Sequence, residues 1–92
     1  MAELHKLTTV NRDWTCLGCV VAVVEAWSGE QVKDLNAVLK DLYFPQHGAC
    51  DRGALKQLAD AINSKACGRT VSADDLSCSW TVSRLIRETC GA

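Results

Sequence analysis

Residues 14–29 read WTCLGCVVAVVEAWSG, and the structural class of the chain turns on whether VVAVV at 20–24 is a strand or part of a helix. β-Branched side chains favour a strand on propensity alone. Against that, Leu17, Val20, Val21, Val24 and Trp27 recur at helical spacing, and Gly29 is placed to end a helix. The spacing predicts a helix over 14–28, capped by Asp13 or Thr15. Ala22 and Val23 carry the apolar surface round its back, so it is expected to be the central helix, buried on most sides.

Working outward, Val32, Leu35, Val38, Leu39 and Leu42 face one way in a stretch whose polar residues mostly face the other. This predicts an amphipathic helix over 30–43, stopped at Phe44-Pro45 because the residue before a proline disfavours helical geometry. QHGACD then reads as a loop, and Asp51 can cap a third helix to about Asn63, with Leu55, Leu58, Ala59 and Ile62 inward. SKACGRT is a connector with Gly68 as its turn residue. Ser72 and Asp75 have capping-box spacing for a short helix. A last helix is expected from Trp80 or Thr81 to Cys90, burying Val82, Leu85 and Ile86 before Gly91. Leu4, Leu7 and Val10 could add a helical turn or two in the segment 1–12.

The expected fold is therefore all-α, a compact bundle of four or five short helices forming one domain over residues 1–92. A chain of this length hides only roughly 60% of the surface its unfolded form exposes, which leaves one core and little room for a second site. Hydrophobic residues make up 48% of the chain and charged residues 23%, as in an ordinary globular domain. Ten Lys plus Arg face eleven Asp plus Glu, so there is neither the basic field of a nucleic-acid binder nor an acidic surface.

The amino-terminal residues lack a basic start followed by a long apolar stretch, and no apolar run reaches the ~20 residues of a membrane span. The expected location is thus the cytoplasm, where the six cysteines remain thiols. The even count also suits three bridges in a secreted protein, with the connectivity left open.

Two pairs of metal-ligating residues stand out: Cys16-x2-Cys19 and His47-x2-Cys50. Zinc takes four nitrogen and sulfur ligands in a tetrahedron, and two helical residues three apart can point at one ion. A zinc-stabilised helical module is one reading. Such pairs usually lie on tight turns, however, whereas Cys16 and Cys19 open an apolar helix in which free cysteine serves as a small buried hydrophobe.

WTCLGC also resembles the Trp-Cys-x-x-Cys active site of thioredoxin-like proteins, which implies a first thiol acidified by the helix start. One extra residue separates Trp14 from Cys16, and the strand and sheet of that fold are missing. The stretch CLGCVVAVVEAWSGEQV resembles the catalytic helix of papain-like peptidases of the bacteriocin-processing kind, with Cys16, Trp27 and Gly29 at matching places. Leu17 stands where that family has glycine, and His5 and His47 are the only histidines available as a base.

In the carboxy-terminal half, VSADDLSCSWTVSRLI is similar to the end of acyl carrier proteins, matching at Val71, Asp74, Asp75, Thr81, Val82, Leu85 and Ile86. The resemblance implies a four-helix arrangement. The serine that carries phosphopantetheine is absent, since Asp51 is followed by Arg52-Gly53-Ala54-Leu55. TVSRLIRET resembles the recognition helix of helix-turn-helix repressors, which implies DNA contacts from Thr81, Ser83, Arg84 and Arg87.

No catalytic constellation is complete, so the expected activity is non-catalytic binding of a protein partner, with a second copy of the chain as one candidate. Tyr43 and Phe44, leading into a glycine-containing loop, are candidate anchors, because aromatic residues dominate interfaces. The bland alternative has Phe44 capping the core. Arg84 and Arg87 complete the candidate partner-binding set and carry the alternative of a DNA-binding regulator.

Overall fold

The computed structural model describes residues 16–91. The expected caps Asp13 and Thr15, Trp14, and the turns around Leu4, Leu7 and Val10 lie outside them. The described residues form an all-α fold: α1 (16–28), α2 (Leu39–His47), α3 (Arg52–Lys65) and α4 (Val82–Cys90), with one 3-10 turn at Ala73–Asp75. None of these helices is long and apolar enough to cross a membrane.

VVAVV is helical, as its period required, and Val20, Val23, Val24 and Trp27 join the core. α1 is buried or half-buried on most sides, and Gly18, Ala22 and Ala26 form its one exposed stripe. Gly29 ends the helix at φ 78, a conformation that costs glycine nothing. It also lets the chain approach α2: a methyl at this position would meet Gln46 Cγ at 3.0 Å.

The second helix starts nine residues later than its apolar spacing predicts and runs through the proline expected to stop it. The cause is a competition for hydrogen bonds. The Asp34 carboxylate accepts from the Asn36 N–H at 2.9 Å and the Asp34 carbonyl from the Ala37 N–H at 3.0 Å, making a local turn that displaces the helix. Val38 then pairs with Thr81 in an isolated antiparallel bridge.

Around that bridge the first turns of α2 and α4 satisfy each other. The N–H groups of Leu39 and Lys40 donate to the carbonyls of Trp80 and Cys78, at 2.9 and 3.0 Å. Those of Val82 and Ser83 donate to the carbonyls of Ala37 and Leu35, at 3.0 and 2.8 Å. Four donors that a helix start leaves without partners are thereby paired, although Val38 offers no capping side chain. Pro45 is tolerated near the end of α2, where it and Asp41, whose carbonyl forgoes an N–H partner, are both exposed to water.

The third helix follows the sequence closely. Asp51 caps it, accepting from the Ala54 N–H at 2.9 Å, and Ala54, Leu55, Leu58, Ala59 and Ile62 are buried. At its far end the expected turn residue is displaced, since Ala66 and not Gly68 takes the left-handed conformation, at φ 53. Asn63 holds the connector down through two bonds to Val71, donating to its carbonyl at 2.7 Å and accepting from its N–H at 2.9 Å. Asp75 reaches back to accept from the Ser72 N–H, as the capping spacing implies. Thr81 caps α4, which buries Val82, Leu85 and Thr89.

All six cysteines are paired, and this overturns the cytoplasmic location. Cys16 bonds to Cys90, Cys19 to Cys67 and Cys50 to Cys78, with Cα separations of 6.0, 5.5 and 6.0 Å. Three intramolecular disulfides point to an oxidising, extracellular or secreted environment, since cytosolic reductants keep thiols open. The amino-terminal residues and the apolar period of α1 carry no signal of this pairing, which depends on which residues the fold brings together.

The first bridge ties the start of α1 to the end of α4, and the second ties α1 to the segment after α3. The third joins the loop between α2 and α3 to the loop before α4. In the chain-entropy account, loops of 74, 48 and 28 residues make each bridge worth roughly 4 kcal/mol, which offsets the small core.

Candidate partner-binding surface

Trp27, Tyr43 and His47 form a continuous aromatic stack. Ring centroids are 4.5 Å apart from Trp27 to Tyr43 and 4.7 Å from Tyr43 to His47, with 24° between planes in each pair. The base of the stack is fixed, because buried Trp27 donates through Nε1 to the Ala54 carbonyl at 2.8 Å. Tyr43 and His47 are one turn apart on α2, so their stacking follows from helical periodicity. Gln46 Nε2 donates to Glu30 Oε2 at 3.1 Å, adding a link between the ends of α1 and α2.

Phe44 follows Tyr43 and therefore points about a quarter of a turn away from the stack. It is 65% exposed, whereas Tyr43 is half-buried, and Pro45 beside it is exposed as well. The bland alternative, that Phe44 caps the core, does not hold. Leu35, at 38%, is the other large hydrophobic residue exposed among the described residues.

The arginines lie on α4. Arg84 lies over the half-buried Trp80 ring, its guanidinium carbon 4.7 Å from the centroid, a favourable placement of a cation on a ring face. Arg87 is exposed in the last turn of α4, where positive charge suits the carbonyl end of a helix. The segments that lead into α2 and α4 run antiparallel at the Val38–Thr81 bridge. Among the described residues, no hydrogen bond, ion pair or ring contact joins Tyr43 and Phe44 to the arginines.

A recognition helix presents its first turn to base edges. Here the backbone of that turn is paired, with Thr81 accepting from the Arg84 N–H at 3.1 Å and Val82 and Ser83 donating to the segment before α2, while the Arg84 and Arg87 side chains are exposed. The residues offered for zinc are not gathered into one set. Cys16, Cys19 and Cys50 each bond to a different cysteine, and a disulfide sulfur is not the thiolate that zinc takes. His47 instead ends the aromatic stack. Among the described residues no three or more His, Cys, Asp or Glu side chains are placed to hold a metal ion.

Two concave features went unread in the sequence. One is a groove of about 630 Å³ between α1 and α3; the other, of about 550 Å³, lies beside the 3-10 turn between Arg52, Lys56 and Ser72. Arg52 and Asp74 form an exposed ion pair there. The groove could have been suspected from the small residues Ala22 and Ala26, which share one uncharged side of α1. Comparison with protein-family models, with curated proteins and with solved structures finds no match for this chain.

Proposed function

We propose that this chain is a disulfide-cross-linked, non-catalytic binding protein of an oxidising compartment, and that it engages a protein partner through Phe44. The observation that carries the reading is the exposure of Phe44 on a helix whose neighbouring side chains are immobilised. Exposing an aromatic ring to water costs hydrophobic free energy, of about 25 cal/mol for each Å² left uncovered. An aromatic ring on a rigid support loses little further freedom on binding, so most of its burial is available as affinity. The absence of catalysis is part of the proposal. It is supported by the use of every cysteine in a disulfide, which removes the Cys16 nucleophile that the peptidase and redox resemblances require.

The test is photo-crosslinking with benzoylphenylalanine at position 44 of the oxidised protein, in extracytoplasmic fluid of its native source. A discrete adduct is expected that excess wild-type protein suppresses and excess Phe44→Ser does not. Equal suppression by the two competitors overturns the reading. If the adduct is a second copy of the chain, sedimentation at rising concentration will show a dimer that Phe44→Ser loses.

A further inference from the structure

The groove between α1 and α3 has walls of unusual composition. From α1 come Cys19, Ala22, Val23, Ala26 and Trp27; α3 contributes Ala61 together with three polar residues, Gln57, Ser64 and Lys65. Over residues 16–28, α1 carries one charged side chain, Glu25, and its carboxylate is engaged by the Val32 N–H at 2.9 Å. Exposed helix faces of soluble proteins are ordinarily charged, so the exposed Ala22 and Ala26 in this wall make a surface suited to apolar contact.

The walls of the groove are also tied to each other at both ends. At one end the Cys19–Cys67 disulfide ties α1 to the segment that leaves α3; at the other the Trp27 indole is bonded to the Ala54 carbonyl. Two helices pinned at both ends keep a fixed register along the groove. Its volume, about 630 Å³, falls among pockets that take small organic ligands, on the order of 300–1,000 Å³. From Cys19 to Trp27 the wall is about 12 Å long at the rise of an α-helix, which suits an extended alkyl chain better than a ring system. Lys65 supplies the charge that the walls lack, at the Cys19 end and therefore at one extremity of the apolar track. A single cation beside a long apolar wall complements a ligand with one anionic head and one tail.

We propose that the α1–α3 groove binds a single-chain anionic amphiphile, a fatty carboxylate, with its head at Lys65 and Ser64 and its tail along Ala22, Ala26 and Trp27. This is independent of Phe44, which lies on α2 and takes no part in the groove.

Isothermal titration of the oxidised protein with dodecanoate, kept below its self-association concentration, tests the proposal, with dodecyltrimethylammonium as a probe of the same tail and opposite charge. Saturable one-to-one binding of dodecanoate is expected, tighter than that of the cationic probe by about tenfold or more. Lys65→Glu should reverse that preference, and Ala22→Glu, which puts a carboxylate into an exposed wall, should weaken both probes by at least about tenfold. Lys56→Glu makes the same charge change on the same helix outside the groove and should leave both affinities unchanged. Circular dichroism and disulfide mapping establish that each variant is folded. The proposal is overturned by an absence of saturable binding, by equal affinity for the two probes, or by a loss in Lys56→Glu as large as in Lys65→Glu.

Discussion

Gly68 sits against Thr89 so closely that a methyl group on its α-carbon would collide with the Thr89 carbonyl oxygen and lie 3.2 Å from Cys16 Sγ. The same carbonyl accepts from the Arg69 N–H at 2.8 Å, so it cannot move aside without losing a bond. The obstruction is backbone, not a flexible side chain. Gly68→Ala is therefore expected to cost about 1–3 kcal/mol, the usual penalty of forced overpacking. Urea denaturation of the oxidised protein measures it, and a change below ~0.5 kcal/mol would show that the connector relaxes freely.

Thr89 presents the opposite case. Its side chain is fully buried, yet Oγ1 has no hydrogen-bond partner among the described residues. A buried hydroxyl without a partner carries a desolvation penalty of about 1–3 kcal/mol. Thr89→Val keeps the shape and removes that penalty, so it should raise the urea midpoint, by up to about 1 kcal/mol in stability. A lower midpoint would mean that the hydroxyl is paired in solution.

Ala66 ends α3 in the left-handed region, at φ 53 and ψ 44, which costs an L-residue roughly 1–2 kcal/mol. Glycine is the natural occupant of such a helix end. Ala66→Gly should stabilise the protein by a few tenths to about 1 kcal/mol, part of the gain being lost to the greater freedom of glycine in the unfolded chain. The same denaturation series reads it, with Ala61→Gly, inside α3, as the comparison that should destabilise.

The legible parts of this fold are those in which one local signal acts alone. The apolar period of α1 and α3, the Asp51 cap and the glycines at 29 and 91 are all read from neighbours in sequence, and each stands where expected. The illegible parts depend on distant chain. The period through Val32, Leu35, Val38 and Leu42 was helical, but the carbonyls of Leu35 and Ala37 are taken by α4, more than forty residues away. Phe44 was legible as a candidate anchor because an aromatic pair before a proline is conspicuous. Its exposure was not, because periodicity over 30–43 placed the helix too early and gave the residue no face. The pairing of the cysteines and the groove between α1 and α3 likewise arise only once the helices have docked.

The three disulfides give the simplest check of the architecture. Protein made under oxidising conditions should have an intact mass lower than the reduced chain by six hydrogens, two for each bond, and should react with no maleimide. Peptide mapping should recover Cys16–Cys90, Cys19–Cys67 and Cys50–Cys78. Replacing each pair by alanine should cost about 2–5 kcal/mol, most for Cys16–Cys90, which closes the longest loop. Loss of the Cys19–Cys67 pair in particular would untie α1 from the segment after α3, at one end of the groove.

Tyr43 and Phe44 are adjacent in sequence and should respond differently to substitution. Tyr43 lies between Trp27 and His47, and truncating it to alanine removes two stacking contacts worth about 0.5–1.5 kcal/mol each beyond the area they bury. Tyr43→Ala should lower the melting temperature clearly. Phe44 is 65% exposed, so Phe44→Ser should change stability by no more than ~0.5 kcal/mol. If Phe44 anchors a partner, the same substitution should weaken the complex by about 2 kcal/mol or more, some thirtyfold in affinity. The comparison of melting temperature with partner affinity for the two variants separates a residue that holds α2 in place from one that uses it. Equal destabilisation by both variants would return Phe44 to the core.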